Sequence, residues 1–262
     1  MSRILVAVAL LLWASQAAAD SAPRIAVIID DLGYQLDAGR RAIRLPGPVA
    51  YAVLPRAPHA GPLAETAHNN GKEVLLHLPL QAAGHNGPIE PGGITLDTSR
   101  AAFRSTFAAA IGAVPFAIGV NIHRGSLLTR HPGHMRWLME EMREHGELFF
   151  VDSYTTHESV ALQIAAETGV AATKRDVFLD HDRSADAIEA AFEHLKSLAR
   201  RQGVAVAIGH PYPATLDMLE RELPKLRDEG IELIAISRLL APDSIAQQEL
   251  QGGAGMQAGA QR

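Results

Sequence analysis

Along this chain, short unbroken apolar runs alternate with longer segments whose apolar residues recur every three or four positions. The first run, Ile25-Ala26-Val27-Ile28-Ile29, leads straight into Asp30-Asp31-Leu32-Gly33. Apolar residues on consecutive positions predict a strand buried on both faces, as in a parallel sheet. Similar runs begin near Val49, Val74, Ala117, Leu148, Val177, Val204 and Ile231. Between them the spacing changes to that of helices. Residues 132–145 put Met135, Leu138, Met139 and Met142 on one face, and Ser184 precedes a stripe of Ile188, Phe192, Leu195 and Leu198. Segment 99–111 is alanine-rich and also reads as a helix. Five glycines (Gly71, Gly146, Gly169, Gly203 and Gly230) stand where a helix must stop before a strand, as left-handed C-caps do.

This alternation predicts βα units and an α/β fold with about seven or eight parallel strands. No G-x-G-x-x-G or G-x-x-x-x-G-K follows the first strand, which disfavours an open nucleotide-binding sheet and favours a distorted (β/α) barrel. Segment 82–95 is rich in glycine and proline and is expected to be an irregular loop over a site. The domain is expected to span 20–243, with 244–262 as a disordered tail of Gly, Gln and Ala.

Arg3, the apolar stretch 4–13 and Ala17-Ala18-Ala19 before Asp20 have the order of a cleaved signal peptide over 1–19. An exported, periplasmic protein with no stable membrane insertion after cleavage is therefore expected. The chain has no cysteine, which excludes disulfides, thiolate chemistry and a lipoprotein anchor. Any metal would be held by His and carboxylate. The net charge of −5, one unit more negative once Arg3 is removed, points to neither nucleic acid nor an anionic membrane as partner. Nothing in the sequence specifies a protein partner.

Chemistry-bearing residues cluster after the apolar runs. These are Asp30 and Asp31, His77, then Asn121, His123, Arg124 and Ser126, then Asp152, then Asp180, and finally His210. In a parallel barrel such strand ends share one mouth. Asp31, His77 and His123 form a candidate three-ligand set that leaves positions open. Regular β geometry points Asp30 and Asp31 to opposite sides, so only one should ligate unless the turn twists them together, and the other is a candidate base. His59, His68, His131, His134, His145, His157 and His194 read as solvated, with His85 an outside candidate in the loop. G-x-S-x-G and H-E-x-x-H are absent, while a carboxylate-pair glycosidase using Asp30 with Asp152 or Asp180 stays open.

Seven segments occur in a recognisable order: Ile-Asp-Asp-Leu-Gly-Tyr, Ala-Val-Leu-Pro with Pro58-His59-Ala60, Glu-Val-Leu-Leu-His-Leu-Pro, Asn-x-His-x-Gly-Ser, Phe-Val-Asp-Ser, Lys-Arg-Asp-Val-Phe-Leu-Asp and Ala-Ile-Gly-His-Pro. Together they resemble the divergent polysaccharide deacetylase family over about 24–240. That family is an offshoot of the polysaccharide deacetylases, which use a distorted (β/α) barrel and a divalent metal. The resemblance implies Asp30 as base, Asp31 and His77 as ligands, and His210 as general acid. The parent family's H-x-x-x-H is broken, since Gln81 stands four residues after His77, and His123 is the implied replacement. Arg124 interrupts the usual Asn-Asn-His-Met-Gly-Ser and is expected to bear on substrate choice. Ser126 is expected to contact substrate, and Asp152 to orient His210 or bind sugar. The function so implied is metal-dependent hydrolysis of an acyl group, N-acetyl above all, on an envelope glycan, with zinc the expected ion. The alternative is a non-catalytic periplasmic glycan-binding or regulatory protein on the same fold. The missing H-x-x-x-H and an aromatic content of only 5% favour that alternative.

Overall fold

The computed structural model describes residues 22–84 and 89–240. The run at Ile25 becomes β1 (Arg24–Leu32), and Ile25 to Ile29 are essentially inaccessible to water. In order there follow α1 (Leu36–Ile43), β2 (Ala50–Val53), α2 (Ala60–Asn69), β3 (Glu73–Leu80), α3 (Arg100–Ala113) and β4 (Ala117–Arg124). Next come α4 (Pro132–Glu144), β5 (Phe149–Asp152), α5 (Ala161–Thr168), β6 (Ala172–Lys174), β7 (Val177–Phe178) and α6 (Ala185–Gln202). The described chain ends with β8 (Val204–Gly209), α7 (Pro213–Glu222), β9 (Glu232–Leu233) and α8 (Ile236–Leu239).

All strand pairs are parallel, in the order β6-β5-β4-β3-β2-β1-β8-β7, with β9 beside the start of β1. The sheet curls into a half-barrel; among the described residues no ladder joins β6 to β7. The α/β barrel expectation therefore holds, in an unclosed form. Strand β6 is one more than the eight predicted starts. It carries no apolar run, because its three residues are only half-buried.

The central strands β1, β2, β3, β5 and β8 bury both faces, which is why their runs are continuous rather than alternating. The outer faces pack on the helices through Phe103, Phe107, Leu138, Met142, Phe192 and Leu195. Inside the curve, Ala26, Ile28, Ala52, Val206 and Ile208 form a second cluster with Ile236 and Leu239 of α8. That short helix plugs the end of the half-barrel away from the strand C-termini. All five joint glycines have positive φ, as the sequence predicts, and Gly169 and Gly203 directly cap α5 and α6. Ser99 caps α3, its hydroxyl accepting from the Ala102 amide. His134, expected at the surface, is buried against Phe103 and Trp137, and its ring Nδ1 lies 2.9 Å from His131 Nδ1. Its position one turn into α4 turns it inward. The signal segment 1–19, the tail 244–262 and His85 lie outside the described residues. No helix among the described residues is long and apolar enough to cross a membrane.

The plug is held by Glu73, at the start of β3. Its Oε2 accepts from the Ile236 amide at 2.9 Å, and its Oε1 takes the Ser237 hydroxyl. One carboxylate thus does the work of an N-cap for α8. Replacing Glu73 with Ala should cost about 1–3 kcal/mol, the price of leaving a charge-assisted acceptor unmade. Urea unfolding of the purified variant checks this, and an unchanged midpoint would show that α8 is held by packing alone.

Candidate metal centre

The centre is built where β1 stops being regular. Opposite β2, Ile29 pairs with Tyr51 but Leu32 pairs with Val53, so β1 carries one extra residue. Asp31 takes up that bulge at φ 59°, a left-handed conformation uncommon for any residue but glycine, asparagine or aspartate. Of the two arrangements open in the sequence, the bulge selects the one in which the turn twists the paired aspartates together. Both carboxylates face His77, whose Nε2 lies 3.7 Å from Asp30 Oδ2 and 3.2 Å from Asp31 Oδ1.

Register does the next step. His77 on β3 sits opposite Asn121 on β4, and both are buried. Asn121 Nδ2 donates to Asp30 Oδ1 at 2.7 Å, so its Oδ1 is turned to His77 Nδ1, also at 2.7 Å. An amide oxygen can only accept, so His77 Nδ1 carries the proton and its Nε2 presents a lone pair when the ring is neutral. His123, two residues after Asn121, places Nδ1 at 2.9 Å from Asp31 Oδ1 and 3.2 Å from His77 Nε2. Its other nitrogen lies 3.3 Å from Glu90 Oε1. Asp31 Oδ1 is buried and makes no hydrogen bond of good geometry, although two imidazole nitrogens lie close by.

Those three donor atoms therefore converge on a shared point instead of bonding one another. Their separations of 2.9, 3.2 and 3.2 Å are near the about 3.3–3.6 Å between neighbouring donors on a tetrahedral ion with bonds of 2.0–2.2 Å. One carboxylate and two imidazoles are also a donor set suited to such an ion. The residues fit a divalent cation.

His210, just past β8, is set from the other side. Asp180 Oδ1 lies 2.9 Å from its Nδ1, and Asp180 Oδ2 accepts from its backbone amide at 2.6 Å and from Thr215 Oγ1 at 2.8 Å. Its Nε2 faces Asp31 Oδ2 at 3.7 Å. Electrostatics follow from burial and this ring of charges. Burial raises Asp30 above the usual carboxylate range, against the pull of His77 and His210. Burial opposes ionisation of Asp31 too, but contacts from His123 and His77 outweigh it and hold Asp31 well below that range. For His77, burial is overcome by Asp30 and Asp31, which push its pKa up to about 9. His210 is likewise raised, burial being outweighed by Asp180.

Asp30, Asp31, His77, His123 and His210 thus meet around one centre, on which two cavities open: Asp30 and His77 line one, Asp31 the other, and His123 and His210 both. Arg124 stands half-exposed at the mouth, with Nη2 at 2.7 Å from Glu90 Oε1. Two expected substrate contacts fall elsewhere. Asp152 is buried with Oδ1 taken by the Tyr154 amide and Oδ2 by Ser159 Oγ, at 2.8 and 2.6 Å, and Asp180 occupies the position beside His210 that was expected for it. Ser126 Oγ accepts from the Ala83 amide at 3.0 Å, which ties the start of the 82–95 loop to β4. The sequence singles out Asn121 and Asp180 as polar residues closing buried strands, but not as the partners of His77 and His210. It misses Glu90, which lies in an irregular loop that carries no positional signal. Arg175 also lines the cavity of Asp30 and His77, its guanidinium held by the Ser153 and Tyr154 carbonyls.

Residues 27–240 match the model of a family described as divergent polysaccharide deacetylase. The chain is 36% identical over 219 residues to the uncharacterized Escherichia coli protein YibQ, covering 84% of this chain and 68% of that one. An uncharacterized Haemophilus influenzae protein is 36% identical over 216 residues, covering 82% and 76%. The crystal structure of an uncharacterized Agrobacterium tumefaciens protein shares the fold with a TM-score of 0.79 at 21% identity, over 83% of this chain and 89% of that one.

Zinc or cobalt should bind with one equivalent per chain, and His77→Ala or His123→Ala should abolish uptake while the fold persists by circular dichroism. Because His77 carries a proton below about pH 9, an ion must displace it, so apparent affinity should strengthen about tenfold per pH unit from pH 7 toward 9. Titration against a competing chelator at several pH values measures both. Full occupancy in either variant would remove that histidine from the site.

Proposed function

Because this chain belongs to the divergent polysaccharide deacetylase family, we propose that it is a divalent-metal-dependent amidase that removes N-acetyl groups from an envelope glycan. The observation that carries this reading is the convergence of a three-donor triangle, a buried carboxylate and an oriented histidine, each within 4 Å of another member. Asp31, His77 and His123 would hold the ion, zinc by donor type. A divalent cation supplies Lewis-acid chemistry there, polarising an acyl carbonyl and easing removal of a proton from water.

The protein's own groups do the rest. Asp30 has Oδ1 engaged by Asn121, which leaves Oδ2 on the His77 side as the proton-accepting atom. Its raised pKa makes it a better base than an ordinary carboxylate. His210, whose pKa Asp180 raises, would donate from Nε2 to the departing nitrogen when protonated. The carbonyl carbon gains a bond to the water oxygen and loses its bond to nitrogen. Acetic acid and a free amine result, with one water proton moved to Asp30 and one proton taken by the nitrogen from His210; the acid then ionises to acetate in solution. Arg124 at the mouth is the residue we assign to substrate choice. The export signal read in 1–19 would bring the protein to such a glycan.

A binding protein without turnover is the second reading. It is favoured by Gln81, whose Oε1 accepts from the Leu96 amide, so that side chain holds the loop and takes no part in the centre.

Incubation of the zinc-loaded protein with tetra-N-acetylchitotetraose and with peptidoglycan fragments, followed by acetate assay, separates the two. Release is expected from the wild type and should fall at least about 100-fold in Asp30→Asn. Binding without release would support the second reading. His210 must be protonated to act, so activity falls as pH rises through its pKa. Asp180→Asn removes the anion that raises that pKa, and the alkaline limb should move to lower pH. A limb that stays in place would take His210 out of the acid role.

A further inference from the structure

The reaction centre opens on two spaces. A smaller cavity of about 210 Å³ is lined by Asp30, His77, Ser153, Arg175 and Phe178. A larger one of about 440 Å³ is lined by Asp31, Leu32, Tyr34, Leu54, Glu90 and Tyr212. His123, Arg124 and His210 form the wall common to both. We infer that the larger space is a saccharide subsite whose platform is the ring of Tyr34, so that the sugar carrying the departing amine lies on the Tyr34 side of His210. This rests on the amidase reading for the words departing amine, but the subsite itself does not need turnover.

Three observations converge on Tyr34. It is 50% exposed, and among the described residues it makes no hydrogen bond and no ring contact, so one aromatic face is uncommitted beside the centre. Its backbone, in contrast, is clamped. Gly33 has φ 130°, a Cβ there would collide with that of Ala57, and the Gly33 carbonyl accepts from the His59 amide at 2.9 Å. An exposed ring on a loop that cannot drift is pre-organised to receive a ligand. The surroundings also suit a sugar, which has apolar C–H faces and a polar rim. Leu32 and Leu54 supply an apolar floor. Gln35 and Glu90 supply polar groups at the edge, and Glu90 Oε2 is buried without a partner.

Tyr212 is a different kind of wall. Its ring is stacked on His210 with centroids 5.4 Å apart, and Arg183 both sits 4.0 Å over the ring and donates to its hydroxyl at 2.8 Å. That ring is already engaged and serves to fix the far side of the space. The larger cavity therefore pairs one free aromatic face with one fixed wall, and His210 lies between the sugar and the acyl group.

Calorimetric titration with fully deacetylated chitotetraose tests this without requiring catalysis. The wild type should bind it, Tyr34→Ala should bind about tenfold more weakly, and Tyr34→Phe should keep affinity within about twofold, since the ring face and not the hydroxyl does the work. Thermal melts should shift little in either variant, because the side chain is half-exposed and makes no hydrogen bond or ring contact among the described residues. No binding by wild type, or equal affinity in a folded Tyr34→Ala, overturns the subsite. Tyr34-dependent binding with no acetate release from the acetylated oligomer upholds the subsite and overturns the amidase reading alone. Acetate release with a KM that Tyr34→Ala leaves unchanged does the reverse.

Discussion

Two carboxylates on adjacent residues, set at the end of a buried strand, are the constraint around which the candidate site is built. Asp30 is almost wholly buried, and Asp31 is strained into a left-handed conformation to stand next to it. Such a pair is repulsive at short range and poorly solvated. It persists because polar groups surround it from four directions: the imidazoles of His77, His123 and His210 and the Asn121 amide. The strain of the bulge is what brings both acids to the same side. Without it, one would point among the helices.

Each of the three histidines is held by an oxygen on the nitrogen that faces away from Asp31: Asn121 for His77, Glu90 for His123, Asp180 for His210. The three acceptors differ. A neutral amide orients His77 without adding negative charge, which under the proposed amidase reading would suit a metal ligand. A buried carboxylate favours the charged form of His210, which on that reading would suit a proton donor. Partners of different charge thus give chemically similar side chains different electrostatic settings.

The remainder of the fold serves that mouth. Parallel strands end together, so residues far apart in sequence meet at the C-terminal edge. At the other end α8 seals the half-barrel through Glu73, which keeps the interior dry below the centre. The 82–95 loop, pinned by Ser126 and Gln81, delivers Glu90 to His123 and Arg124.

Much of this was legible in the chain. The continuous apolar runs specify strands buried on both faces, the glycine joints specify where helices end, and the Asp and His after each run specify a shared mouth, because period and backbone conformation are local properties. Asp31, His77 and His123 are readable for the same reason. What stayed hidden depends on distance in space. That Asp152 would be consumed by Ser159 and Tyr154 while Asp180 held His210 follows from strand order and helix approach, not from either residue's neighbours in sequence. The half-barrel's opening between β6 and β7, the inward turn of His134 and the reach of Glu90 are likewise outcomes of packing. The chain alone determines which groups are carried to the end of each strand. Tertiary structure alone decides which of them touch, because a hydrogen bond is made or lost within a few tenths of an ångström that no local pattern encodes.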